Sequence, residues 1–202
     1  MNKELINKCK KYDFKTLLEG KGYAYFTKGK YNLNIIGVRA KGNKCTNTFD
    51  DAIVLIYNDE LDKTIRYVFP ATTDPGITEL KHPSNVKGCA ILVPGQYRGC
   101  YQLGKHKGKY EALVQRKPVK VYRDNNHDEI YDYNPISIDE GVFGINIHKA
   151  GLESTVINNW SAGCQVVASA SNLVILVAVA KKQIAYTGCK SFTYTLINEE
   201  DM

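Results

Sequence analysis

The chain has 202 residues, 44% of them hydrophobic and 24% charged, enough for one domain with a sizeable core or a domain carrying a small N-terminal attachment. With 14 Tyr and 6 Phe it is no solvated disordered chain, and its 16 Gly and 6 Pro lack any collagen-like or low-complexity period. The net charge of +6 is confined to one end: residues 1–50 hold 11 basic and 4 acidic residues, the remainder 16 and 17. Such a segment suits an acidic or phosphate-rich surface, but it is Lys-rich and Arg-poor, so no nucleic-acid partner is expected.

The chain opens MNKELINKCKKYDF, which has no uninterrupted apolar stretch of the kind a secretory signal needs. Synthesis in the cytoplasm is therefore expected. The six cysteines (Cys9, Cys45, Cys89, Cys100, Cys164 and Cys189) form no CxxC pair, so a disulfide scaffold is not expected either. Within residues 3–19 the apolar positions Leu5, Ile6, Cys9, Tyr12 and Leu17 recur at near-helical spacing until Gly20 and Gly22, which predicts a short helix. Residues 1–29 then read as a basic N-terminal extension and 30–202 as the main domain.

Strands follow. Asn32–Arg39, Ala52–Tyr57, Thr64–Phe69, Cys89–Val93, Tyr110–Val114, Val119–Tyr122 and Val142–His148 are short, rich in Ile, Val and Tyr, and bounded by turn-forming residues. Ser169–Asn172 offers an N-cap to LVILVAVAKKQ, with Gly188 beyond it, and this predicts one buried helix. Its apolar core, Leu173 to Ala180, is the longest apolar run and falls far short of the roughly 20 residues that span a bilayer, so no membrane span is expected. Ser191–Ile197 alternates and reads as a last strand. The expected class is mainly β (α+β) in a single domain.

The stretch Phe143–Val167, FGINIHKAGLESTVINNWSAGCQVV, concentrates the chemistry. An apolar strand delivers His148, twelve residues intervene, and Ser161-Ala162-Gly163-Cys164-Gln165 leads into another apolar run. A cysteine attacks as thiolate and needs a base or cation beside it. The loop is long enough to return Cys164 to His148, with a ring nitrogen expected within about 4 Å of the sulfur. An imidazolium there favours thiolate, so Cys164 is expected to be the most reactive thiol at neutral pH. Gly163 lets the backbone approach closely, and the Gly163 and Cys164 amides are candidate oxyanion donors.

The pattern H-x(12)-S-x-G-C resembles the signature of the L,D-transpeptidase catalytic domain, and Phe69–Gly76 is similar to an early segment of that family. The resemblance implies a β-sandwich of mixed sheets and a Cys nucleophile that attacks peptidoglycan stem peptides to form a thioester. It further implies His148 as base, Ser161 as its orienting group or a contact to a substrate carboxylate, and an oxyanion site of Gly163 and Cys164 aided by Gln165. Trp160 would pack beside the nucleophile. No cofactor is implied. Family members commonly carry Arg soon after the Cys, where Gln165-Val166 stand here; Lys149 and Arg123 are the basic residues available instead. The segments GQYRGCYQLGKHKGKYEAL and VYRDNNHDEIYD are similar in general appearance to proteins encoded by bacteriophages and gut bacteria. That implies a virion-associated or lysis-released wall enzyme, with other virion proteins as partners, or a virion structural protein that keeps the fold without activity.

His82, Cys89, Cys100 and His106 have the residue types of a zinc set. Their separations do not match the tight ligand pairs of a finger or ribbon, so no metal is expected there.

Overall fold

The computed structural model describes all residues, Met1–Met202. Helices α1 (Lys3–Lys11) and α2 (Phe14–Gly20) precede strands β1 (Asn34–Arg39), β2 (Asp51–Asn58) and β3 (Thr64–Thr72). After the one-turn helix α3 (Ile77–Lys81) come β4 (Cys89–Leu92), β5 (Gly95–His106), β6 (Tyr110–Gln115), β7 (Val119–Asp124), β8 (Asp139–Gly141), β9 (Ile147–Lys149) and β10 (Gln165–Val167). Helix α4 (Ala170–Thr187) and strand β11 (Ser191–Asn198) complete the set. The mainly β reading holds.

Eight strands form one sheet that closes on itself in the order β1-β11-β5-β6-β9-β10-β3-β2, and β4, β7 and β8 make a small second sheet. The family resemblance implies two sheets face to face; the principal sheet is instead a closed barrel. Two of the pairings that close it are parallel, β1 with β11 and β9 with β10. Each brings together segments distant in sequence, so neither has a hairpin signature for the sequence to display.

Strands β1 and β2 are buried along nearly their whole length, and period-two geometry explains how. Ile35, Ile53 and Leu55 face the main core together with Leu173, Leu176 and Val177 of α4. The alternate residues Ile36, Val38, Ala52, Val54 and Ile56 face outward and are covered by Leu5, Cys9, Phe14 and Leu18 of α1 and α2. The basic extension is thus two helices packed on the barrel wall, with Lys3, Lys8, Lys10 and Lys11 exposed. The single helix expected there breaks at Tyr12–Asp13 because the Asp13 carboxylate accepts the Thr16 amide and caps α2.

A buried polar knot fastens the second sheet to the barrel. Arg39, at the end of β1, pairs with Asp74 at 2.9 Å and donates to the Leu92 carbonyl of β4 at 2.9 Å. Asp51 accepts the Thr73 amide (2.6 Å), the Thr73 hydroxyl (2.8 Å) and the Ala40 amide (2.7 Å).

Two strand expectations change. Residues 95–106, where no strand is expected, form β5, the longest strand; Gly99 sits where the β5–β11 register shifts. Of Val142–His148, only the last two residues join a strand. The Phe143 and Ile145 amides donate to the Gln115 side chain at 3.1 and 2.9 Å in place of a ladder partner. The helix expected after Ser169 forms as α4, with the Ser169 hydroxyl accepting the Asn172 amide and Gly188 in the left-handed conformation at its C-terminus. No helix is long and apolar enough to cross a membrane.

Removing that N-cap tests the assignment. Ser169→Ala is expected to cost about 1 kcal/mol, read as a lower urea midpoint with an unchanged slope.

Candidate active site

His148 is the central residue of β9, and Cys164 immediately precedes β10. The parallel register sets Ile147 beside Gln165 and His148 beside Val166, which brings the two side chains to the same end of the pair. A third group joins them from β5: His106, whose ring stacks on that of His148 with centroids 3.9 Å apart. One ring nitrogen from each histidine and the Cys164 sulfur all lie within 4.8 Å of one another. They line a cleft of about 650 Å³ together with Asn146, Lys107, Arg123, Phe143 and Trp160.

The zinc set weighed from the sequence is not assembled. His106 leaves it to join His148 and Cys164, while Cys89 and Cys100 are buried in different hydrophobic clusters. All six thiols are free.

Hydrogen bonds fix the His148 ring. Its Nδ1 lies 2.8 Å from the Lys149 carbonyl oxygen, and the Tyr110 hydroxyl stands 3.2 Å from the same nitrogen. A carbonyl only accepts, so Nδ1 carries the proton and Nε2 keeps a lone pair. Burial, with smaller contributions from His106 and Lys107, pushes the His148 pKa down to about 3. The Cys164 sulfur accepts the Asn146 amide at 3.4 Å, yet burial raises its thiol above the usual range. The resting pair is therefore neutral thiol and neutral imidazole. This corrects the expected imidazolium–thiolate pair: the same burial that positions the groups disfavours both charges.

Three other candidates sit at the site in unexpected roles. Ser161 is fully buried; its hydroxyl donates to the Cys164 carbonyl at 2.8 Å and accepts the Gly163 amide at 3.2 Å. It caps the loop and does not touch His148. The Gly163 amide is thereby spent, which leaves the Cys164 amide, with no hydrogen-bond partner in the protein, as the open backbone donor. Gly163 matters sterically: at φ +115° a Cβ would run into the Ala90 carbonyl oxygen of β4. Gln165 points into the barrel, not the cleft. Its NH₂ donates to the Thr73 and Gly163 carbonyls at 3.2 and 3.3 Å, and its oxygen accepts the Tyr194 hydroxyl at 2.7 Å.

Comparison with protein-family models, characterised proteins and solved structures gives no match. The chemistry of the cleft therefore has to be read from its residues.

Trp160, expected beside the nucleophile, is 42% exposed and lines the same cleft. Arg123 is committed to Asp139 at 3.1 Å and stacks over Phe143. Lys149 donates to the Ala150 carbonyl at 3.2 Å and lies over the Tyr110 ring. The cation left facing the cleft is Lys107, in the β5–β6 turn. Sequence reasoning missed His106 as a site residue because it lies 58 positions before Cys164, in a glycine-rich segment that showed no strand. The visible signal was a histidine directly before a Lys-Gly turn.

Two outcomes are expected. Alkylation of Cys164 by iodoacetamide, followed by mass spectrometry, should keep accelerating as pH rises through 9, because the thiol titrates above its usual range; a plateau reached below neutrality would indicate a preformed thiolate. Gly163→Ala should cost at least about 2 kcal/mol in chemical denaturation, since both the backbone conformation and the Ala90 contact oppose a side chain.

Proposed function

We propose that this chain is a cysteine acyltransferase or peptidase of L,D-transpeptidase type, acting on peptidoglycan stem peptides through a thioester. Its setting would be a phage cell-wall enzyme, carried on the virion or released at lysis. The observation that carries the reading is the juxtaposition, in one cleft, of the Cys164 sulfur and a His148 ring with its Nε2 lone pair unengaged, at a residue whose own backbone amide has no hydrogen-bond partner. That set suits attack on an amide carbonyl. The mixed parallel and antiparallel pairing of the closed sheet agrees in strand direction with the mixed sheets of that family.

In this reading the Cys164 thiol loses its proton to His148 Nε2 as sulfur bonds to the carbonyl carbon. The Cys164 amide donates to the oxygen. Collapse breaks the C–N bond, and His148 returns the proton to the departing amine. A second amine then takes the acyl group in transpeptidation, or water takes it in hydrolysis. Lys107 is the residue placed to meet a stem-peptide carboxylate, in the role sought above for Arg123 or Lys149.

One observation favours a second reading, a virion structural or attachment protein that keeps the fold without activity. Burial holds the thiol and the imidazole neutral, which slows a nucleophile that depends on thiolate.

Digestion of purified sacculi, with mass spectrometry of the released muropeptides, separates the two. The enzyme reading expects release by the intact protein, loss of release in Cys164→Ala with an unchanged melting temperature, and acylation about 10²- to 10⁴-fold slower in His148→Ala. No release by the intact protein would favour the structural reading, and equal release by Cys164→Ala would overturn the cysteine mechanism.

A further inference from the structure

His106 has no part in the steps above, yet its ring is as firmly held as that of His148. The two rings are held in opposite senses. The Asn146 side-chain oxygen accepts the Gln115 backbone amide at 2.9 Å, and a backbone N–H can only donate. This fixes the orientation of the Asn146 side chain. Its NH₂ group must face His106 Nδ1, 3.1 Å away. An NH₂ group only donates, so Nδ1 accepts, and the proton of the neutral ring resides on Nε2. His148 is the mirror case, with the proton on Nδ1 and the lone pair on Nε2.

Neither Nε2 has a hydrogen-bond partner in the protein, and neither is sealed from solvent; both rings line the cleft beside Cys164. The cleft therefore holds one imidazole that accepts and one that donates. Burial and the neighbouring Lys107 keep His106 neutral, so it donates without being a strong acid. The same tautomer argues against a metal at this cluster. A His₂Cys set suits zinc in residue type, but ligation through His106 Nε2 would require the proton on Nδ1, facing the Asn146 NH₂ group donor to donor.

We propose that His106, locked as its Nε2–H tautomer by Asn146, is the second oxyanion donor of this site, alongside the Cys164 amide. The role rests on the acyl-transfer reading above. It fills the place left by the Gly163 amide, which Ser161 occupies. When sulfur adds to the carbonyl carbon, the π electrons move to oxygen, which receives hydrogen bonds from His106 Nε2–H and Cys164 N–H. No proton passes to it; the thiol proton goes to His148 and then to the leaving amine. An oxygen bonded to that carbon stands about 2.7 Å from sulfur, and a donor about 2.7–3.1 Å from the oxygen can itself lie within the 4.8 Å that bounds the cluster. Asn146 is a positioning residue, acting through His106.

The test begins with the resting protein labelled with ¹⁵N-histidine, whose long-range ¹H–¹⁵N correlations report each tautomer without any substrate. His106 is expected as Nε2–H and His148 as Nδ1–H. Asn146→Asp keeps an acceptor for the Gln115 amide but replaces the NH₂ donor, so His106 should switch to Nδ1–H. That variant should lose about 10²- to 10³-fold in kcat on muropeptide substrates with little change in KM. It should also gain zinc affinity in calorimetry with the metal alone, since both Nε2 lone pairs then face the cleft. If Asn146→Asp does not fold, His106→Gln, which keeps an N–H donor, should retain more turnover than His106→Leu. Nδ1–H at His106 in a protein that turns over overturns the oxyanion role alone, as does equal turnover by the Gln and Leu variants. The stated tautomers in a protein that acylates with no peptide overturn that role together with the acyl-transfer reading.

Discussion

Everything at the cleft depends on a parallel strand pair only three residues long. β9 and β10 meet through Ile147–Lys149 and Gln165–Val167, and this contact both completes the barrel and sets His148 beside Cys164. So short a pairing would not hold alone. Gln165 reinforces it from inside, where its buried amide joins the β3 end at Thr73, the Cys164 loop at Gly163 and β11 at Tyr194. A buried amide with every bond satisfied specifies one arrangement, because each alternative leaves a polar group unpaired in the core.

The loop between these strands follows the same economy. Ser161 turns the chain by bonding to both the Gly163 amide and the Cys164 carbonyl, and Gly163 lies against the Ala90 carbonyl of β4. The small sheet thus buttresses the Cys164 loop, and Arg39, paired with Asp74 and donating to the Leu92 carbonyl, in turn anchors that sheet to the barrel. Positions that read as catalytic in the S-x-G-C pattern serve largely to place the one residue among them that reaches the cleft with its side chain, Cys164.

Burial works against charge on both Cys164 and His148, and Lys107 is the cation beside them. Burial depresses His148 and raises Cys164, so neither is charged in the resting protein. Two side chains, Gln115 and Asn146, then decide how the His106 imidazole presents itself, while the Lys149 carbonyl decides it for His148. Gln115 takes the Phe143 and Ile145 amides and prevents an extended strand there. Its own backbone amide orients Asn146, which orients His106. The proton position of His106 thus follows from β6, one strand away.

The sequence by itself determined the local features. Short Ile-, Val- and Tyr-rich runs between turn-forming residues marked β1, β2, β3, β4, β6 and β7 to within a few residues, alternation marked β11, and the Ser169 cap with Gly188 marked α4, because each signal lies within one segment of chain. The chemistry of Cys164 and His148 was legible for the same reason: thirteen to sixteen residues apart, Ser161 and Cys164 follow His148 on a single loop. Only the tertiary structure decided the rest. Closure through the β1–β11 pair, the role of Gln165 and the arrival of His106 depend on contacts between segments far apart in sequence, and the role of Ser161 on how its short loop folds back on itself. Such contacts are specified by packing and hydrogen-bond satisfaction across the whole core, and they leave no periodic trace in any one segment.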